Sequence, residues 1–243
     1  MSYLKNVLNR LGGRELTVVA VLFAILASIW CFAELADEVL EGSTESFDQT
    51  LLLAMRSQAD PADPLGPGWV EEIGRDLTAL GGNVVLSLVT LIVMGYLVLI
   101  HHRRLALVVL IASLGSLGVN TALKNSFERE RPSLVPHGAQ VYTASFPSGH
   151  SMVAASTYLT LALLLGRAER RRRLKAYWLL AALVVTALVG VSRVYLGVHW
   201  PTDVLAGWTA GAGWAMLCGL LAVWLQRHGQ LDRPTAGEVV DEQ

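Results

Sequence analysis

The chain has 243 residues, of which 53% are hydrophobic and only 16% are charged, and its net charge is −1. Soluble domains usually carry about 25% charged residues, so this composition indicates an integral membrane protein. The near-neutral charge excludes the basic surface typical of nucleic-acid-binding proteins, and we expect no nucleic-acid partner. Cys31 and Cys218 both lie in apolar runs, where cysteine acts as a small hydrophobic residue.

Six stretches are long and apolar enough to cross a bilayer, which requires about 20 mostly apolar residues. The first has no charge from Leu16 to Ala33 and no small-residue cleavage site, so it is typical of an uncleaved membrane helix. No segment alternates as a strand would. The sequence predicts one all-α membrane domain, residues 1–226, and a polar tail, 227–243, which we expect to be disordered. The predicted spans are about 16–36, 82–101, 105–123, 148–166, 175–195 and 202–225.

The basic residues predict the orientation of this six-transmembrane-helix bundle. With the N-terminus in the cytoplasm, thirteen of the 19 Lys and Arg residues fall on the cytoplasmic side. Positive charge favours the cytoplasmic face of membrane proteins, so we expect both termini there, N-in/C-in. The six remaining basic residues, on the outer side, are Arg56, Arg75, Lys124, Arg129, Arg131 and Arg193.

The first outer segment, about 37–81, is long and acidic. It contains two sets of apolar residues at a spacing of four, which predict short amphipathic helices against the bilayer interface or the bundle. Simple surface packing and a role as a lid or lipid entrance both remain open for them. The two sets are Phe47, Leu51 and Met55, and Trp69, Ile73 and Leu77.

Three polar clusters fall on the outer side in this topology. KNSFERERP (124–132) follows the third span, FPSGHS (146–151) begins the fourth, and SRVYLGVHWPTD (192–203) joins the fifth to the sixth. Each cluster alone has a structural explanation, as interfacial anchors or helix caps. Ionisable residues at membrane helix ends cost free energy and tend to mark functional sites. Because all three emerge on one face, they predict a shared site.

The residue types in these clusters suit a phosphate group. Lys124, Arg131 and Arg193 supply cations from different loops, and arginine offers a planar fork that matches phosphate oxygens. The PSGH turn places backbone N–H groups at a helix N-terminus, where Gly149 allows a close approach. Phosphate transfer depends mostly on positioning and on electrostatic stabilisation of the transferred group. We therefore predict a phosphate cradle that needs no metal.

Two histidines complete the predicted site. His150 and His199 both have an ordinary pKa near neutrality, and Asp203, four residues after His199, can orient its ring. The residues alone leave open whether His199 attacks phosphorus or activates a water. A His–Asp pair also occurs in metal second shells, with His137 as a further outer histidine. The chain has no HExxH or CxxC pattern, so we expect no metal and no cofactor.

Taken together, the motifs resemble the three-part signature of the type-2 phosphatidic acid phosphatase superfamily, over about residues 16–225. The matching elements are Lys124-x6-Arg131-Pro132, Pro147-Ser148-Gly149-His150 and Ser192-Arg193-x5-His199-x3-Asp203. The resemblance implies a phosphohistidine route, with His199 as nucleophile, Asp203 orienting it and His150 as general acid. It also implies that the phosphate is held by Lys124, Arg131, Ser148, Gly149 and Arg193.

The sequence thus predicts a metal-independent lipid phosphatase or diphosphatase. The expected substrate is undecaprenyl pyrophosphate, phosphatidic acid or phosphatidylglycerophosphate, and the expected location is a bacterial inner membrane, with the site facing the periplasm. The alternatives are a lipid phosphotransferase that uses the same site and a non-enzymatic anion transporter. A transporter would need charge near the bilayer midplane, and the first, second and fifth spans have none there. The sequence gives no indication of oligomeric state.

Overall fold

A computed structural model describes residues 13–227, which form eight helices. Within these residues there is no strand, only an isolated bridge between Arg56 and Pro64, so the predicted all-α fold is confirmed. The predicted C-terminal tail, apart from residue 227, lies outside the described residues. The helices are α1 (Gly13–Leu40), α2 (Glu45–Leu53), α3 (Gly68–Ala79), α4 (Asn83–Leu99), α5 (Arg103–Ser126), α6 (Gly149–Ala168), α7 (Arg172–Tyr195) and α8 (Pro201–Arg227).

Five of these helices, α1, α5, α6, α7 and α8, are long and apolar enough to cross a membrane. The predicted second span corresponds to α4, which has 17 residues and is therefore short for a bilayer core. Helix α3 precedes it after a bend of 46°, and the two together would make a sixth span. The described residues thus contain five spans, or six if the bent pair counts as one.

Helix α6 lies at the centre of the bundle and packs against α5, α7 and α8, while α1 packs against α8. Two glycines bring the backbones of α8 and α6 together. A Cβ atom at Gly207 would lie 2.7 Å from the Ser148 carbonyl oxygen, and one at Gly211 would lie 2.7 Å from Ala155 Cβ. Larger residues at these positions would separate the two helices. The close approach places the N-terminus of α8 beside the N-terminus of α6.

The outer segment contains the two predicted short helices, α2 and α3, and most of each predicted apolar set is exposed, although Met55 packs against the buried cluster that contains Leu52. On α2, Phe47 is 48% exposed, whereas Asp48 and Leu52 are buried. On α3, Trp69 is exposed and Thr78 is buried. The exposed faces of α2 and α3 match helices that lie in a membrane interface.

The C-terminal end of α7 is tied to the outer segment. Arg56, which is buried in the loop after α2, donates from Nη2 to the Tyr195 carbonyl oxygen at 2.9 Å. Tyr195 in turn donates its hydroxyl to the Leu65 carbonyl oxygen at 2.9 Å. Gly197 then turns the chain with a φ of 70°, a conformation that favours glycine. These contacts fix the loop that leads from α7 to α8.

Candidate active site

The ends of α5, α6 and α7 and the loop before α8 surround a polar cavity of about 380 Å³. Six of the eight predicted site residues line it, so the three sequence clusters do converge, and both histidines face the same space. The two others lie behind the wall of the cavity: Ser148 and Asp203 are fully buried. The six lining residues are Lys124, Arg131, Gly149, His150, Arg193 and His199.

Two basic side chains are held in the cavity wall by carbonyl oxygens. Lys124 donates from Nζ to Ala144. Arg131 donates from Nε to Thr143 at 2.9 Å and from Nη1 to Val198 at 2.6 Å. Burial lowers the pKa of the Arg131 guanidinium below its ordinary value, and the nearby Asp203 carboxylate opposes this shift. A guanidinium still remains charged near neutral pH, so Arg131 is a fixed cation in the cavity wall.

The third cation, Arg193, is only 3% exposed. Its Nη1 donates to the Thr78 hydroxyl at 3.0 Å, and its Nε has no hydrogen-bond partner within the described chain. Among residues 15–225, none of the three cavity cations forms an ion pair with a carboxylate. Buried charges in proteins are normally paired. Three buried or half-buried cations without a carboxylate partner are an arrangement that favours an anion in this cavity.

His199 lies in the loop before α8 with its two ring nitrogens in different environments. Nε2 lies 3.2 Å from Arg131 Nη1, and Nδ1 lies 3.3 Å from Asp203 Oδ2. Arginine can only donate, so Nε2 is the acceptor and Nδ1 carries the proton that is donated to Asp203. Burial lowers the pKa of the imidazole from 6.5 to about 3, although the hydrogen bond to Asp203 opposes this. At neutral pH the ring is therefore neutral, with its lone pair on the Arg131 side.

Asp203 is held by several donors in addition to the histidine. Oδ2 accepts from the Ser145 hydroxyl and from the Trp200 backbone N–H, the latter at 2.9 Å. Oδ1 accepts from Arg129 Nη1 at 2.6 Å. These contacts keep the carboxylate ionised and restrict its rotation. The aspartate can therefore stabilise positive charge that develops on the ring of His199.

The N-terminus of α6 forms the cavity floor. Ser148 is its N-cap: the hydroxyl accepts from the Ser151 hydroxyl at 2.9 Å and from the Ser151 N–H at 3.5 Å. The Ser148 N–H donates to the Asp203 carbonyl oxygen at 2.9 Å, which joins this turn to α8. A Cβ atom at Gly149 would lie 2.9 Å from Asn120 Oδ1, so glycine permits the contact with α5. First-turn N–H groups lack intrahelical acceptors and can bind anions.

Sequence reasoning missed several residues around this site. Arg129 belongs to the KNSFERERP cluster, and its position two residues before Arg131 was a usable signal, although an interfacial anchor explained it equally well. Asp48, Thr78 and Ser145 carried no local signal, because each meets the site through a contact between segments far apart in the chain. In the part of the chain that the structure describes, no three His, Cys, Asp or Glu side chains converge as metal ligands would.

An apolar groove of about 350 Å³ runs between α4 and α5 and is continuous with the cavity. Three residues line both spaces: Asn83, Leu117 and Val153. The remainder of the groove is mostly leucine, including Leu91 and Leu114. The polar cavity therefore opens into an apolar channel on the side of the bundle.

Fold and site define the class: a multi-pass helical membrane protein with a cavity at one end of its helices that is lined by basic residues and two histidines. Residues 104–228 match the family model of the PAP2 superfamily, and the chain belongs to this superfamily. The family predicted from the three motifs is thereby confirmed. Several similar proteins are named as lipid phosphatases, and one of the similar solved structures is transmembrane, so the protein belongs to the membrane lipid phosphatases of this superfamily.

The similar proteins act on different lipids, according to their names. Phosphatidylglycerophosphatase B of Bacillus subtilis is 36% identical over 149 residues, which is 59% of this chain and 70% of that protein. An undecaprenyl-diphosphatase of Sulfolobus acidocaldarius is 41% identical over 68 residues, which is 28% of this chain and 29% of that protein. The crystal structure of a transmembrane PAP2 type phosphatidylglycerolphosphate phosphatase from Bacillus subtilis has a TM-score of 0.73 at 28% identity, covering 84% of this chain and 98% of that chain.

Proposed function

We propose that this protein hydrolyses a phosphate monoester or pyrophosphate on a lipid head group through a phosphohistidine intermediate, without a metal. The observation that carries the proposal is the set of three cations without carboxylate partners around a cavity that also contains His150 and His199. The substrate phosphate supplies the missing negative charge. Lys124, Arg131 and Arg193 then neutralise the charge that spreads over its oxygens during transfer.

In the first step, Nε2 of His199 forms a bond to phosphorus while the bond from phosphorus to the lipid oxygen breaks. The negative charge of the bound phosphate beside His150 favours the protonated form of its ring, which donates a proton to the departing oxygen. Asp203 stabilises the positive charge on the His199 ring through Nδ1. The first turn of α6, from Gly149, contributes N–H groups to the phosphate oxygens. Ser148 lies behind the cavity wall and caps this turn through its contacts with Ser151, which holds the N–H groups in place.

In the second step, water attacks phosphorus and the bond to Nε2 breaks. His150, now neutral, takes a proton from the water, as the same group must act as acid and then as base. Inorganic phosphate leaves and the neutral His199 is restored. The lowered pKa of His199 supports this cycle, because the free enzyme holds the ring ready as an unprotonated nucleophile at neutral pH.

The groove between α4 and α5 supports a lipid as the substrate. A phosphate in the cavity leaves the attached chain next to Leu117 and Val153, and from there the apolar lining continues towards Leu114. Names of similar proteins include both a monoester phosphatase and a diphosphatase. Undecaprenyl pyrophosphate, phosphatidic acid and phosphatidylglycerophosphate are therefore the proposed candidates.

The proposed topology has six spans, with both termini in the cytoplasm and the cavity on the periplasmic side of an inner membrane. The excess of basic residues in the opposite loops supports this orientation. A cysteine introduced at Ala62 in the exposed outer loop should react with a membrane-impermeant maleimide in intact cells. Labelling only after the cells are opened would reverse the proposed orientation.

The decisive experiment measures phosphate release by the detergent-purified protein, with EDTA present, from each candidate lipid. We expect activity that vanadate inhibits, and His199→Ala should lose nearly all of it. His137→Ala is the matched control, because His137 lies outside the cavity lining and should leave turnover unchanged. A quench in alkaline detergent should trap a phosphoprotein that is stable in alkali and labile in acid, in the wild type and not in His199→Ala. Turnover at the wild-type rate in His199→Ala would refute the mechanism.

A further inference from the structure

The outer helix α2 is connected to the His–Asp pair through a buried ion network that begins at Asp48. Asp48 is 1% exposed, on the face of α2 that packs against α8. Its Oδ1 accepts from the Thr202 N–H at 2.9 Å, and its Oδ2 accepts from the Thr202 hydroxyl at 2.6 Å. Thr202 is the residue before Asp203, so Asp48 holds the N-terminus of α8 directly.

Arg129 lies between the two buried carboxylates. Its Nη2 donates to Asp48 Oδ2 at 2.7 Å, and its Nη1 donates to Asp203 Oδ1 at 2.6 Å. Nη1 also contacts the Thr202 hydroxyl at 2.8 Å, and the guanidinium stacks over the Trp200 ring at 5.7 Å. The side chain is only 16% exposed. Such a two-pronged arrangement fixes the guanidinium more firmly than a single contact would.

This network controls the carboxylate that orients His199. Rotation of the Asp203 carboxylate would move Oδ2, which lies 3.3 Å from His199 Nδ1. Arg129 prevents this rotation by holding Oδ1. Asp48 has a second effect, because Arg129 is shared between two carboxylates and so leaves a net negative charge on the group formed by Asp48, Arg129 and Asp203, on the Nδ1 side of the ring. That charge favours the positive imidazole ring that forms during phosphate transfer.

We propose that Asp48 and Arg129 are positioning residues for the phosphatase reaction, and that the outer segment completes the active site through them. The proposal rests on the function proposed above. Neither residue lines the cavity around the histidines. Both therefore act through Asp203 and not on the substrate, so they should affect turnover more than substrate binding.

The test compares kcat and KM of purified Asp48→Asn with those of the wild type. The substitution keeps the size of the side chain and one carbonyl oxygen for Thr202, but removes the charge. Coupling between residues of one ion-pair network is worth roughly 2- to 150-fold in an equilibrium or rate constant, and we expect kcat to fall within this range with KM changed less than twofold. Glu45→Gln is the matched control, an exposed carboxylate on the same helix, and should leave both constants unchanged.

Arg129→Gln and the double variant extend the test as a thermodynamic cycle. If the residues act as one unit, the double variant Asp48→Asn/Arg129→Gln should be about as slow as the slower single variant, because coupled effects do not add.

If Asp48→Asn fails to fold, Arg129→Lys provides the second variant: it keeps a cation, loses the two-pronged contact, and should lower kcat with KM unchanged. Wild-type kcat in Asp48→Asn, or a loss confined to KM, would overturn the proposal. An active His199→Ala would instead overturn the proposed function itself.

Discussion

Acid should destabilise this protein through His199, and the structure gives the size of the effect. The folded state lowers the pKa of this imidazole from 6.5 to about 3, because the ring is buried. Between these pH values, the His199 imidazole is therefore protonated in the unfolded chain but not in the folded chain. The stability that results is fully present above pH 6.5 and is lost as the pH falls towards 3. From pH 6.5 to pH 5 the loss is about 2 kcal/mol.

The assay is thermal unfolding of the detergent-purified protein at a series of pH values, for the wild type and for His199→Gln. Glutamine does not titrate, so the variant lacks this contribution at every pH. A loss of about 2 kcal/mol corresponds to roughly 4–8 °C in melting temperature for a domain of this size. Between pH 6.5 and 5 the melting temperature of the wild type should therefore fall by roughly 4–8 °C more than that of His199→Gln. His137→Gln should follow the wild type, and parallel curves for the wild type and His199→Gln would refute the reasoning.

Two further predictions concern packing and the lipid route. Gly211→Ala should lower the melting temperature, since overpacking typically costs about 1–3 kcal/mol and the new Cβ would meet Ala155 on α6. Gly118→Ala is its control, because the new Cβ would have open space around it, and this variant should be neutral or slightly stabilised. Equal losses of melting temperature in both variants would contradict the close approach of α8 and α6. Leu114→Trp should fill the groove and raise KM for long-chain lipid phosphates, with activity on a small water-soluble phosphate ester unchanged. A parallel loss on both substrates would contradict the lipid route.

The parts of this structure that sequence predicts well are those encoded in neighbouring residues. Uninterrupted apolar runs predicted the long helices, with bounds that differ from the observed ones by up to four residues. The three motifs lie at helix ends, so a count of spans was enough to bring them to one side. Helices α2 and α3 were also predictable from apolar spacing, but spacing gives an apolar face and not its partner. Most of that face is exposed, while Asp48 and Thr78 lie on the buried side.

Contacts between distant segments could not be predicted in this way. Arg129 meets Asp48 across 81 residues of sequence, and Arg193 meets Thr78 across 115 residues. A buried ion pair forms where two segments pack together. The periodic pattern of one sequence shows which residues share a face, but not which distant segment packs against that face. The bend between α3 and α4 was missed for a related reason, since Gly81 and Gly82 permit a bend without requiring one.

The outward apolar faces of α2 and α3 have a consequence for where catalysis takes place. On α2, Phe47 is exposed and Asp48 contacts the site from the opposite face. On α3, Trp69 is exposed and Thr78 contacts the site from the opposite face. The two helices would thus lie at the boundary between head groups and acyl chains. Their contacts would hold cations such as Arg193 at that depth. A lipid would then reach the reacting histidine by diffusing sideways within its own leaflet, without being lifted into water.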